Sequence, residues 1–140
     1  MAWYAPTVNS YTRLIPGFWA PTDATWGIEN RTCALRVIPG KPASQRVEYR
    51  VAAADINPYL AIAASLACGL LGLEERLQPD APEAGSAYQR PFALPGSLSD
   101  ALRRFEQSER LRPLLGDRFI KIYTAMKRQE YQAFFEVISP

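Results

Sequence analysis

The chain predicts an α+β fold, a short antiparallel sheet followed by about three helices, on three observations. Arg46-Val47-Glu48-Tyr49-Arg50-Val51 alternates charged and apolar residues with the period of a strand. Pro58 to Leu77 is apolar on nearly all sides of a helix. Leu98, Leu102 and Phe105, then Phe119, Tyr123 and Met126, recur at helical spacing.

In chain order, residues 3–22 are rich in Pro, aromatic and turn-forming residues and read as a loop. Asp23 to Ile28 is a short strand and Thr32 to Ile38 a better one. Pro39-Gly40-Lys41-Pro42 makes a turn. Gln45 to Val51 is a third strand, and short connections between sequential strands suggest an antiparallel meander. Asn57 caps the first helix, with Pro58 at its first position. That helix, from Pro58 to about Leu77, should be buried, which in so short a chain implies other protein mass around it. Gln78 to Gly96 is Pro-, Ala- and Gly-rich and reads as an exposed linker. Ser97-Leu98-Ser99-Asp100 resembles a capping box for a helix through about Glu106. Leu111 to Leu115 is a short turn. The last helix spans about Asp117 to Val137, with Phe119, Tyr123, Met126, Phe134 and Val137 on a core face.

The strand of residues 46–51 carries the densest chemistry. Arg46, Glu48 and Arg50 share one face at a spacing of roughly 7 Å. A carboxylate between two guanidiniums is held ionised. Such a carboxylate is a hard-metal ligand, and guanidiniums grip phosphates and carboxylates through paired donors. Two readings stand: a solvated strand face with offsetting charges, or a face that holds a metal ion against an anionic substrate.

The neighbouring blocks bear on that choice. Asn9-Ser10-Tyr11-Thr12-Arg13-Leu14-Ile15-Pro16-Gly17, Asn30-Arg31-Thr32-Cys33-Ala34-Leu35-Arg36, Arg46 to Arg50, and Ala54-Asp55-Ile56-Asn57-Pro58-Tyr59 follow in this order. Together they resemble the C-terminal part of the glutamine synthetase superfamily catalytic domain, from about Ala5 onward. The resemblance implies an ATP-dependent carbon–nitrogen ligase. Such an enzyme joins glutamate to an amine or ammonia through γ-glutamyl phosphate, at a site between subunits of a homo-oligomer, with Mg2+ or Mn2+. It implies that residues 1–140 are the C-terminal portion of that domain. The N-terminal domain, the first part of the catalytic domain and its acidic strands would then lie elsewhere, and the 140 residues alone would be inactive. The alternative is a non-catalytic remnant serving as an interaction or structural domain.

Residue by residue, the resemblance gives Arg13 and Arg50 to the substrate carboxylate, with Arg50 also near the phosphoryl group. Arg31 goes to the transferring phosphate, Arg36 and Arg46 to the nucleotide phosphates, and Glu48 to a metal. The catalytic set it implies is Arg13, Arg31 and Arg50. One departure is large. After Pro16-Gly17-Phe18, glutamine synthetases carry a glutamate that helps deprotonate ammonium, and here Trp19 stands. Indole takes no proton but offers a cation–π face and an apolar wall. Trp19 is thus either a wall for a larger amine, as in the γ-glutamyl-polyamine and γ-glutamyl-amide ligases, or a packing aromatic on a loop.

Bulk composition narrows the alternatives. The formal net charge is +2, so neither a nucleic-acid nor a membrane-surface partner is favoured. Of 16 cationic residues only Lys41, Lys121 and Lys127 are lysines, a bias toward paired anion recognition. Histidine is absent, which removes His-based triads and His metal sites within the chain. Cys33 and Cys68 read as free buried thiols in a reducing, cytoplasmic setting.

Overall fold

A computed structural model describes residues 1–91 and 93–137. Strands β1 (Trp26–Ile28), β2 (Leu35–Ile38) and β3 (Arg46–Tyr49) form one sheet in the order β1-β2-β3. Helices α1 (Pro58–Glu74), α2 (Leu98–Glu106), α3 (Arg112–Leu115) and α4 (Asp117–Glu136) follow. The expected α+β order of sheet then helices is present, and the Leu111–Leu115 turn is the short helix α3.

The sheet is mixed, not wholly antiparallel. β2 and β3 pair antiparallel with Arg36 opposite Glu48, whereas β1 and β2 pair parallel with Gly27 opposite Arg36. Glu29, in the left-handed region at φ 52°, turns the chain out of β1. Residues 29–34 then loop back far enough for β2 to start beside Trp26, where Leu35 N–H donates to Thr25 O at 3.0 Å. A short connection therefore did not imply a hairpin.

Local signals formed the helix ends. The Asn57 side chain accepts from the Tyr59 and Leu60 N–H groups, and Ser97 Oγ accepts from Asp100 N–H. The core lies where α2 and α4 meet the N-terminal segment. Leu98, Leu102, Phe105, Ile120 and Tyr123 close around Trp3, Tyr11 and Leu14. Trp3 meets Phe119 edge-on with ring centroids 5.4 Å apart, and Tyr123 Oη–H donates to Ala2 O at 2.9 Å. The N-terminal stretch is irregular, as expected of a loop, but it is core.

Three expectations are corrected. On α4 the buried positions are Ile120, Tyr123 and Thr124, while Met126 and Phe134, and Val137 just past its end, are exposed, because the face that packs on the core runs through Ile120, Tyr123 and the partly buried Tyr131. Helix α1 buries only Ala61; Tyr59, Ile62, Leu66, Leu70 and Leu73 face outward because nothing among the described residues covers them. Cys33 is buried but Cys68, on that open helix, is exposed. No helix of the described residues is long and apolar enough to cross a membrane.

The stretch expected to be an exposed linker docks beside β1. Glu83 N–H donates to Trp26 O at 2.8 Å, Trp26 Nε1–H donates to Asp80 O at 2.7 Å, and Ala87 is fully buried. Gly27 makes this approach possible: a Cβ there would sit 2.8 Å from Glu83 O and 2.9 Å from Asn30 Cβ.

Candidate functional site

The site is built on the polar face of β2 and β3. The antiparallel register sets Arg36 directly across from Glu48. Arg36 Nη1–H reaches the Glu48 carboxylate at 3.3 and 3.4 Å, and Arg50 Nη1–H reaches Glu48 Oε2 at 3.2 Å. Glu48 thus bridges two guanidiniums. Arg36 Nη2–H donates in turn to Glu29 Oε2. The row Glu29–Arg36–Glu48–Arg50 alternates in sign along the sheet.

Arg50 carries the row into the neighbouring loops. Its Nη2–H donates to Trp19 O at 2.6 Å and its Nε–H to Arg31 O at 3.1 Å. Arg13, from the 3-10 turn Asn9–Arg13, donates to Arg50 O at 2.5 Å and Val51 O at 3.3 Å. A second cluster holds that turn: Asp55 accepts from Thr7 Oγ1–H at 2.5 Å and from Ser10 Oγ–H at 2.9 and 3.0 Å.

The electrostatics follow the pairing. Burial acts to raise the Glu48 pKa, but hydrogen bonds from Arg50 and Arg36 outweigh it and hold the carboxyl below its ordinary value. Glu29, then Glu48, hold Arg36 more firmly protonated, against the opposing effect of burial. Burial first, and the Arg50 charge second, lower the Arg13 pKa. At Asp55, hydroxyl bonds from Thr7 and Ser10 overcome burial and depress the carboxyl.

Six of the seven residues singled out in the sequence are thereby joined: Arg13, Trp19, Arg31, Arg36, Glu48 and Arg50. Trp19 and Arg31 enter the network through their carbonyls. Arg46 lies on the same strand but donates back to Ser44 O at 3.1 Å. The opposite, apolar face of β3 is only partly covered. Val51 is buried and Tyr49 leans on Tyr4, with ring centroids 4.4 Å apart, but Val47 is 59% exposed.

Trp19 is itself 65% exposed, with a left-handed φ of 59° on a loop that Gly17 also turns. It borders an open cavity of about 580 Å³ with Glu29, Arg31 and the segment Pro82 to Ser86. Asn30 Nδ2–H holds that segment through Glu83 O at 3.0 Å and Gly85 O at 2.8 Å. Glu29 and the 82–86 wall were missed in the sequence. The isolated glycine inside the β1 pattern was the one available sign of a close backbone approach.

Among the described residues no group of three or more His, Cys, Asp or Glu side chains gathers in a way that could hold an ion. Glu48, engaged by two guanidiniums, offers one carboxylate where a hard divalent ion needs several oxygens. These residues alone do not make a metal site. Guanidiniums of this kind are the side chains suited to paired recognition of oxyanions.

A family model described as glutamine synthetase, catalytic domain, matches residues 1–140. A gamma-glutamylethanolamide synthetase from Streptomyces coelicolor is 46% identical over 132 residues, covering 94% of this chain and 28% of that protein. A gamma-glutamylputrescine synthetase from Escherichia coli is 45% identical over 140 residues, covering 99% of this chain and 30% of that protein. A type-1 glutamine synthetase from Dictyostelium discoideum is 41% identical over 140 residues, covering 96% and 27%. The chain spans under a third of the length of these relatives. It belongs to the glutamine synthetase catalytic-domain family.

Proposed function

We propose that this member of the glutamine synthetase catalytic-domain family is the anion-facing portion of an ATP-dependent glutamate–amine ligase. The observation that carries the reading is the Arg36–Glu48–Arg50 row, tied through Arg50 to the Trp19 loop. A reaction that gathers a carboxylate and a polyphosphate needs fixed cations to offset their repulsion, and Arg36 and Arg50, each held by Glu48, supply two.

The roles follow. Arg13 and Arg50 hold the glutamate carboxylate, and Arg31 meets the transferring phosphoryl group. Arg36 and Arg46 face the nucleotide phosphates, with Arg46 the more exposed of the two. ATP, when bound, would activate the γ-carboxylate as a phosphate. Glu48 would supply one oxygen to a Mg2+ or Mn2+ whose other ligands would come from elsewhere in the longer protein. Trp19 walls the cavity that receives the amine, and the names of the Streptomyces and Escherichia relatives favour an organic amine over ammonia. The chain acts within a longer polypeptide, which its share of the relatives' length supports, and the family resemblance implies that this polypeptide works as a homo-oligomer. A cytoplasmic setting is supported by two unpaired cysteines.

A second reading, a non-catalytic interaction domain, is favoured by the bare apolar face of α1. Both readings meet one experiment. The 140 residues replace their counterpart in the Escherichia relative, and kcat/KM is measured for a panel of amines and ammonia. The ligase reading expects turnover of at least one organic amine above ammonia, and more ammonia use after Trp19→Glu. A folded, inactive chimera favours the interaction domain.

A further inference from the structure

Arg36 is the residue whose geometry departs most from its proposed role. Its side chain is only 13% exposed, and both of its terminal nitrogens already donate to carboxylates, Nη1 to Glu48 and Nη2 to Glu29. Each terminal nitrogen carries two N–H groups, but the side chain is so little exposed that a phosphate oxygen taking the Nη2–H now bonded to Glu29 must displace that carboxylate. The two carboxylates are not equivalent. Glu48 sits on a strand and is held by two guanidiniums, Arg36 and Arg50. Glu29 contributes its carboxylate from the loop after β1, is half exposed, and borders the open cavity. Its backbone is left-handed at φ 52°, and a side chain this exposed can change rotamer.

We propose that Glu29 is a built-in competitor for polyphosphate at Arg36. Its carboxylate occupies the Nη2 edge of the guanidinium until an incoming phosphate displaces it toward the cavity. Glu48 and Arg50 keep the rest of the row in place during the exchange. Glu29 is thus a residue that sets the affinity of this face for its anion. The inference rests on the assignment of Arg36 to nucleotide phosphates made above.

The test is a calorimetric titration of the 140-residue chain with inorganic tripolyphosphate. It compares the unmodified chain, Glu29→Gln, Arg36→Ala and the double variant. Glu29→Gly serves as a second probe that removes the carboxylate and suits the left-handed backbone. Circular dichroism checks that each variant is folded. An exposed ion pair that no longer competes should tighten binding about fivefold in Glu29→Gln and Glu29→Gly. In the Arg36→Ala background the same change should shift binding less than about twofold, because the coupling runs through one contact.

If Arg36→Ala weakens binding but Glu29→Gln leaves it unchanged or weaker, the competitor is overturned while the role of Arg36 stands. Equal tightening with and without Arg36 reduces Glu29 to a charge acting at a distance and also overturns it. If Arg36→Ala does not alter binding, or neither the unmodified nor the Glu29→Gln chain binds, the assignment of Arg36 falls and the inference with it.

Discussion

Arg50 Nη2–H donates to the carbonyl oxygen of Trp19 at 2.6 Å, across 31 positions of sequence. The same guanidinium reaches Glu48 and the Arg31 carbonyl, so one side chain fixes the strand, the Trp19 loop and the Arg31 loop relative to each other. A charged donor aimed at a main-chain oxygen orders a loop in which Trp19, at a φ of 59°, takes a conformation that a bulky side chain does not favour.

Arg50→Ala should therefore loosen residues 16–19 before it unfolds the domain. Cleavage by chymotrypsin after Phe18 or Trp19 should accelerate several-fold, while global stability falls by roughly 1 kcal/mol. Equal proteolysis rates for the two proteins would show that Arg50 does not hold the loop.

Gly27→Ala should displace the wall of the cavity. The added methyl would meet backbone oxygen of Glu83 at 2.8 Å, and that oxygen also accepts from Asn30. Overpacking of this kind costs about 1–3 kcal/mol. Amide exchange should rise at Glu83, whose N–H is bonded to Trp26 O, more than in α2. Unchanged thermal stability and exchange would contradict the packing described.

Acid should destabilise the fold in a window set by Glu48 and Asp55. Both carboxyls are held below their ordinary values of 4.5 and 3.8. A depressed folded pKa contributes stability that is present above the ordinary value and is lost as pH falls through the folded value. Urea midpoints should be flat from pH 7 to about pH 5 and fall below about pH 4.5. Asp55→Asn should lower the midpoint at neutral pH and flatten part of that acid slope. An unchanged slope would show that the Thr7 and Ser10 bonds do not hold the carboxylate.

The outward face of α1 should drive self-association of the isolated chain. Leu66 is 64% and Leu73 77% exposed, with Ile62 and Leu70 beside them. Contiguous apolar surface of this kind is covered in stable proteins. Sedimentation should show mass increasing with concentration, and the pair Leu66→Glu and Leu70→Glu should shift the chain toward monomer. A clean monomer of the unmodified chain at all concentrations would count against it.

Much of this architecture was legible locally. The 46–51 alternation, the Asn57–Pro58 cap and the Ser97 cap each carry their own signal within a few residues, and each formed the expected element. What was not legible depended on residues distant in sequence. The parallel pairing of β1 with β2 depends on the turn at Glu29 and on the 82–86 segment taking the other edge of β1. The burial of Trp3 depends on α2 and α4, about 100 residues away. At the site, Arg36 and Glu48 were legible by type, but their direct opposition follows from strand register, and the engagement of Arg36 by Glu29 from a backbone conformation that the local residues do not announce.

The most direct measurement is ADP release by the chimera in which these 140 residues replace their counterpart in the Escherichia relative. The release must depend on glutamate and an organic amine. The proposed function predicts turnover that falls roughly ten- to a hundredfold in kcat/KM for Arg50→Ala, the loss expected when a charged hydrogen bond to a substrate group is removed. A folded chimera with no such release, or one whose release is indifferent to Arg50→Ala, would contradict it.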